Sequence, residues 1–426
     1  MPLSPELDVI GVGFGPSNLA LAIAVAEHNA AAAQPVTARF LERQPRFGWH
    51  RGMLLEDATM QVSFLKDLVT MRNPASTFSF LSYLHGQGRL VDFINHKSLF
   101  PLRIEFHDYF EWAAARMADQ VSYGQEVVSV RGGDPLFEVR TADGEVYCAR
   151  NLVLGTGLRP NLPEGTETSD RIWHNHQLLH RIGDIREPGR CVVVGAGQSA
   201  AEVTAFLHNR FPGAEVCSVF ARYGYSPSDD SSFANRIFDP EGVDNFYSAP
   251  EDVKRRLMNY HANTNYSAVD IDLIDDLYRR EYQEKVQGRQ RLRIFNTSRP
   301  VDITEDETVR VTVESLTTGE KTVLDADLVV YATGYLPADP VPLLGELGER
   351  CRRDEHGRLR IERDYRLSVP GVGGGIYLQG GTEHTHGITS SLLSNTAVRV
   401  GEILSSIVER RPGAGRPAEY AVKEWA

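Results

Sequence analysis

Cysteine is scarce: the chain of 426 residues has four, at 148, 191, 217 and 351, scattered and with no CxxC pair. That spacing excludes a dense disulfide framework and a local redox dithiol, and it fits reduced, structural thiols in a reducing cytoplasm. Long apolar runs are missing as well. No window approaches the roughly 18 uninterrupted apolar residues of a membrane span. Basic residues are outnumbered, 45 Lys and Arg against 57 Asp and Glu, for a net charge of −12. Nucleic acid is therefore repelled overall, and no basic stripe with interleaved aromatics offsets the imbalance. Glu6 and Asp8 stand where a signal peptide carries positive charge, so export is not expected. Repeats of roughly 20–50 residues are absent. What is present is a globular composition, 42% hydrophobic and 24% charged, in a chain long enough for two or three domains.

Glycine is placed with more purpose. "LDVIGVGFGPSNLALAIA" (7–24) reads as a buried strand, a tight turn and a helix. Gly11 permits the turn, Gly13 lets the backbone approach a pyrophosphate, and the amides after Gly15 attract its charge. Pro16 replaces the usual third glycine and suits a first helical turn, with Ser17 following it. The next strand, "ARFLER", ends at Glu42, whose carboxylate suits the ribose of FAD or NAD and repels a 2′-phosphate. A second such unit, "CVVVGAGQSAAE" (191–202), carries Gly195, Gly197, Gln198 and Ser199 and leads into a helix at 198–209. Its following strand, "AEVCSVFAR", ends at Arg222, a guanidinium suited to the 2′-phosphate of NADPH.

Two stretches, "NLVLGTGLRPNLP" (151–163) and "DLVVYATGYLPADP" (327–340), look like paired crossings between an FAD domain and an inserted NADPH domain. One loop then holds a flavin that stays and the other a nicotinamide that delivers hydride. A disulfide reductase shares this layout, but Cys191 and Cys217 lie in separate strands of the second unit. A flavin monooxygenase remains.

The blocks "MQVSFLKDLVTMRNP" (60–74), "FPLRIEFHDYFEWA" (100–113), "SPSDDSSFANRIFDP" (226–240), "NTNYSAVD" (263–270), "DLVVYATGYLPADP" and "EHTHGITSSLLS" (383–394) follow in order over nearly the whole chain. Together they resemble the microbial N-hydroxylating flavin monooxygenases, and within these the L-ornithine N5-monooxygenases of siderophore and peptide biosynthesis. Local departures at Ser232, Arg236 and 388–390 bear on substrate choice. The expected fold is α/β with two Rossmann-like dinucleotide-binding domains. The FAD domain takes 1–186 and 338–426, and the NADPH domain 187–228 and 289–337. A mostly helical substrate segment spans 229–288, where "EDVKRRLMNYHANTN" and "IDLIDDLYRREYQEKV" have helical apolar spacing.

Chemistry adds a constraint. An amine attacking the distal oxygen of a flavin C4a-hydroperoxide must be neutral, because an ammonium has no lone pair. An amino-acid substrate also brings a carboxylate that needs a cation when desolvated. Lys66 is the candidate, and the resemblance implies Asn235 and Asn265 as its polar partners. Asn265 is also implied at the nicotinamide ribose, with bound NADP shielding the oxygenated flavin from water. The resemblance places Met60 and Gln61 beside the isoalloxazine, with Trp49 and His50 just before them. It places Arg103 near the nicotinamide; the plainer reading of Arg103 is a salt bridge to Glu105. His384 and His386, with Glu383 beside them and both histidines on one side of an extended segment, have no third ligand block following, so no metal is expected. A helix beginning near 387–391 would offer amides to the reduced flavin, with Ser391 and Leu392 at the ring edge and Ser391 also toward substrate. Related substrates (lysine, a diamine), Baeyer–Villiger chemistry, or a non-catalytic NADP(H) sensor are the alternatives. A homo-oligomer, often a tetramer, is implied by the family alone.

Overall fold

The structure is a computed structural model and describes residues 6–266 and 268–411. Residues 1–5, 267 and 412–426, which fall within the expected spans, lie outside the described residues.

The opening strand Leu7–Val12 becomes the centre of a seven-stranded sheet because both its faces are apolar: Val9 and Ile10 are fully buried. Strands covered on both faces read as continuous apolar runs, not as alternation. Leu7–Val12 runs parallel to Ala38–Glu42 on one side and to Val146–Leu154 on the other. The far half is antiparallel, Val146–Leu154 against Phe137–Thr141 and that against Val127–Gly132. There the buried–exposed alternation of Phe137–Thr141 returns. Ile376–Leu378, from late in the chain, pairs beside Val146–Leu154. The C-terminal helix Thr396–Glu409 packs on the first helix, Pro16–Ala31, and shares its core.

A second, five-stranded sheet is wholly parallel, in the order Leu292–Phe295, Glu215–Val219, Arg190–Val194, Leu328–Tyr331, Ile172–His174. Its last strand lies upstream of residue 187. The expected break there therefore cuts this sheet, because Ile172–His174 finds its partner in Leu328–Tyr331 and not in the first sheet. An antiparallel meander, Ser298–Glu305, Val309–Ser315 and Lys321–Ala326, covers one face, burying Val309 and Val311 against Val192 and Val219.

Leu158–Pro160 and Tyr335–Pro337 pair antiparallel. Beside them the Asn161 amide donates to the Gly334 carbonyl at 3.0 Å. The chain thus enters and leaves the second sheet through one short ribbon. The segment after Arg222 holds the helices Pro240–Ser248, Glu251–His261 and Ile271–Gln287. It is tied at its base by a two-strand pairing of Ser226–Pro227 with Ala268–Val269. Asp270 caps the last of these helices by accepting from the Asp272 amide. Among the described residues no helix is long and apolar enough to cross a membrane.

Candidate active site

Both glycine loops lie at the carboxyl ends of parallel strands, where open α/β sheets bind ligands. In the first, Gly11 and Gly13 serve packing as much as ligand approach. A Cβ on Gly11 would lie 2.2 Å from the Phe40 ring, and one on Gly13, at φ +82°, would lie 2.4 Å from the Gly155 carbonyl. Gly15 is different: nothing lies within 4 Å of its Cβ position. It caps the helix Pro16–Ala31 without any side-chain hydrogen bond, so the first-turn amides are left to an external acceptor. Glu42 is buried at the end of its strand; Oε2 accepts from the Phe14 amide at 2.6 Å and Oε1 from the Gln44 amide at 2.8 Å. The carboxylate therefore fixes the loop, and each oxygen keeps a lone pair for a hydroxyl. Asn18, which sequence reasoning passed over, is fully buried behind the loop and donates to the Gly13 carbonyl at 2.7 Å. An open helix end, a backbone pressed close and a buried acid fit a flavin dinucleotide with an unphosphorylated ribose.

His50 precedes the turn Arg51–Met53 and sets its ring edge-on to that of Tyr335. Water reaches its ring although protein walls it in, and burial together with the Arg103 charge pushes its pKa down to about 4. Trp49 packs edge-on to His50 and to Phe110. Met60 is buried, with its amide on the Pro101 carbonyl, whereas Gln61 next to it is exposed and donates to Thr59 Oγ1 at 3.4 Å. Arg103 does not pair with Glu105, which goes to Arg89 at 3.1 Å. Its guanidinium forms a two-pronged bridge to Glu202, 2.7 and 2.9 Å, and donates to the Met53 and Thr59 carbonyls. Both side chains are largely buried, so this pair clasps the first unit to the helix Gln198–Arg210 of the second.

In the second loop Gly195, at φ +145°, would place a Cβ 2.3 Å from the Ala332 carbonyl. Gly197 caps Gln198–Arg210 with no side-chain hydrogen bond, and Ser199 is partly open beside it. The Gln198 amide group is already used: Nε2 donates to Glu202 at 3.0 Å and Oε1 accepts from the Asp270 amide at 2.8 Å. The following strand stops at Val219, short of the expected end, and Arg222 lies exposed beyond it with its carbonyl accepting from Thr297. Cys191 and Cys217 are buried in neighbouring strands, and burial pushes both thiols up to about 12. Neither is a redox pair for a flavin.

The substrate candidates come from three segments. Lys66 is partly buried with its Nζ 5.4 Å from the centre of the Phe238 ring. Among the described residues no carboxylate forms an ion pair with it. Burial lowers its pKa from the ordinary lysine value, and Asp239 partly opposes this. Phe238 ends the turn Ala234–Phe238, which also carries Asn235; that amide now donates to the Asp230 carbonyl at 2.7 Å. This turn abuts Ile388–Ser391, so the segments that carry Asn235 and Ser391 are neighbours. Asn265 is partly buried, and the neighbouring Tyr266 hydroxyl donates to Glu383.

His384 and His386 do not lie on an extended segment. They sit in a single helical turn, Glu383–His386, and bind carbonyls, those of Leu359 at 2.8 Å and Arg363 at 3.1 Å. Burial pushes His386 down to about 4 as it stacks on Tyr365. The expected helix start near 387–391 is also displaced. Gly387 at φ +75° and an extended Leu392 break the chain into 3-10 turns, and the helix begins at Thr396.

A family model described as L-lysine 6-monooxygenase/L-ornithine 5-monooxygenase matches residues 5–337. The L-ornithine N(5)-monooxygenase of Burkholderia cepacia is 39% identical over 426 residues, 95% of each chain. The structure of an ornithine N-hydroxylase from Kutzneria sp. 744, with reduced FAD, NADP+ and L-ornithine, superposes with a TM-score of 0.91. It is 48% identical and covers 95% of this chain and 100% of that one. The ornithine hydroxylase of Pseudomonas aeruginosa gives 0.89 at 36% identity, with coverage of 95% and 100%.

Proposed function

The chain belongs to the L-lysine 6-monooxygenase/L-ornithine 5-monooxygenase family, and we propose that it hydroxylates the side-chain amine of L-ornithine. The product is N5-hydroxyornithine, a building block for siderophores or nonribosomal peptides. FAD at the first loop supplies oxygen activation, and NADPH at the second supplies the electrons. The units divide as the two sheets do, with the helical segment over their junction as the substrate wall. The observation that carries the substrate is Lys66: a partly buried cation, with no carboxylate bonded to it among the described residues, facing the turn that bears Asn235. It suits the α-carboxylate of a free amino acid, with Asn235 and Asn265 holding the head group and Ser391 the far side. Gln61 and Asn265 line the reacting end. A cytoplasmic location and a homo-oligomer belong to the same reading; exposed Val91, Ile94 and Leu99 are apolar surface that such an assembly would cover. A hydroxylated-amine assay with ornithine, lysine and short diamines tests it. Product from ornithine alone supports the assignment, and equal turnover of lysine or a diamine rejects it.

Nucleotide choice is tested at Arg222. Arg222→Ala is expected to weaken NADPH by about 1.5–3 kcal/mol, the scale of a hydrogen bond to a charged group, and to leave NADH nearly unchanged. Steady-state KM values for the two nucleotides report this; equal losses rule out a 2′-phosphate contact.

Acidity gives a second test. At the lysine-like reference pKa near 10.4, only about one amine in 2,500 is neutral at pH 7. Desolvation and the Lys66 charge both disfavour the ammonium, so product per NADPH should rise with pH through a limb below the free-amine pKa. Lys66 is charged below its own lowered pKa and neutral above it. Ornithine affinity should therefore fall at high pH, earlier than for an ordinary lysine. Flavin reduction by NADPH should show neither limb. Stopped-flow traces of the two half-reactions across pH separate them, and a rising limb at the free-amine pKa contradicts the pocket described.

A further inference from the structure

The helix Thr396–Glu409 carries an arginine that none of these roles uses. Arg399 is 2% exposed. Its Nε donates to Gln379 Oε1 at 3.0 Å, and Nη1 to the Ser390 carbonyl at 2.6 Å. Nη2 donates to Ser17 Oγ at 3.2 Å and to Thr396 Oγ1 at 3.1 Å. Every acceptor is neutral. Among the described residues no carboxylate forms an ion pair with Arg399. Glu402, which does act on it electrostatically, has both oxygens on Arg363, at 2.8 and 2.9 Å. Tyr365, the other group acting on it, stays neutral because burial pushes its phenol up to about 12.

A guanidinium keeps its proton in a protein, so a full positive charge is buried here. Its surroundings make the position worse. Ser17 lies in the first turn of Pro16–Ala31, and Thr396 begins the helix of Arg399 itself. Helix N-termini carry partial positive charge, so the cation sits between two like poles. A buried charge of this kind is costly without an opposite one bonded to it, and among the described residues the one carboxylate acting on it, Glu402, is committed to Arg363.

We infer that Arg399 is the buried counter-charge for the flavin dinucleotide at the first loop, stabilising the negative charge that FAD brings there. This rests on reading that loop as the FAD site. Arg399 acts without touching the dinucleotide, because its N–H groups are already directed at protein acceptors. It works through its field and through Ser17. With Ser17 Oγ accepting from Arg399, the hydroxyl hydrogen is turned away from the guanidinium and left to donate to an anion at the helix end. Gln379, pinned by Arg399 on Oε1, donates from Nε2 to the Ser17 carbonyl at 3.2 Å. Two sources of negative charge share this chemistry: the pyrophosphate, present always, and the ring once reduced.

Full-length Arg399→Met and Arg399→Lys, titrated with FAD and with ADP and then examined by redox potentiometry, decide the matter. If the pyrophosphate is the partner, Arg399→Met weakens both FAD and ADP by about tenfold or more, and Arg399→Lys recovers most of the loss. If the reduced ring is the partner, the affinity for oxidised FAD holds and the midpoint potential falls by about 30 mV per tenfold change in a two-electron couple. Equal losses in the Met and Lys variants, or wild-type affinity and potential in Arg399→Met, overturn the inference. Should Arg399→Met not fold, Arg399→Gln against Arg399→Lys keeps the contrast of charge at similar size. The Lys variant must then bind FAD at least tenfold tighter than the Gln variant, or hold a midpoint potential about 30 mV or more above it, or the inference fails. A wild-type protein that takes up no flavin would remove the FAD reading itself, a separate result.

Discussion

Lys66→Ala is expected to raise the ornithine KM by about 30- to 1,000-fold, the equivalent of roughly 2–4 kcal/mol, while flavin content stays normal. The range starts below the penalty for breaking a fully buried ion pair because Lys66 is only partly buried. The loss is large because substrate brings its carboxylate into a wall made by Phe238 and the asparagine-bearing turn, where little water remains to replace the ammonium. A diamine has no carboxylate to abandon. Its turnover should change little, and it should gain slightly from relief of like-charge repulsion. Steady-state kinetics with ornithine and with a diamine of similar length make the comparison. Parallel losses for both would place Lys66 in the support of the flavin or the fold.

Gly13→Ala is expected to yield protein that purifies almost colourless. The methyl group would stand 2.4 Å from the Gly155 carbonyl, and the residue would have to hold φ at +82°. Left-handed backbone at a non-glycine residue costs about 1–2 kcal/mol on its own. The clash is with backbone and not with a flexible side chain, so the loop itself must move. The Asn18 hydrogen bond to the Gly13 carbonyl moves with it, and the amides presented to the dinucleotide are lost from register. Thermal stability should fall even without flavin. Gly15→Ala separates fold from ligand: its Cβ would meet open space, so the apoprotein should melt normally while FAD binds more weakly. Flavin absorbance and melting curves of both variants report this, and a Gly13→Ala protein with full flavin and an unchanged melt contradicts the account.

The two strand–glycine–helix units were legible because their signals are local. A doubly buried strand must be apolar along its length, and a helix starting on glycine and proline must show it within a few residues. Glu42 was legible as an acid at a strand end, but not its grip on the Phe14 amide, which depends on how the loop folds back. The Arg103 partner is hidden from the sequence for the same kind of reason, and the plainer alternative of a bridge to Glu105 does not hold. Glu105 is two positions away in sequence, yet it lies next to Arg89, while Glu202 arrives from another unit. Ile172–His174 is too short to announce itself and becomes a strand only through Leu328–Tyr331. The last helix begins late because backbone geometry at Gly387 and Leu392 interrupts a run whose composition alone reads as helical. Arg399 gave no sign at all. In an amphipathic pattern an arginine reads as a solvent-facing residue, and only packing against the first helix buries it.

Leu158–Pro160 and Tyr335–Pro337 hold residues 161 and 334 one hydrogen bond apart. A stretch of chain whose two ends already meet can be received by a host sheet with little penalty, since closure entropy grows by only about 0.6 kcal/mol per doubling of length. The second sheet is in this sense a cartridge in a socket. A different nucleotide-binding cartridge with equally close ends could be seated in its place, and the host strands would not have to change register. What the exchange would lose is the Arg103–Glu202 clasp and the packing of Met53, Leu55 and Ala58 into the second core, so a graft must restore both a carboxylate opposite Arg103 and an apolar seat for these three side chains.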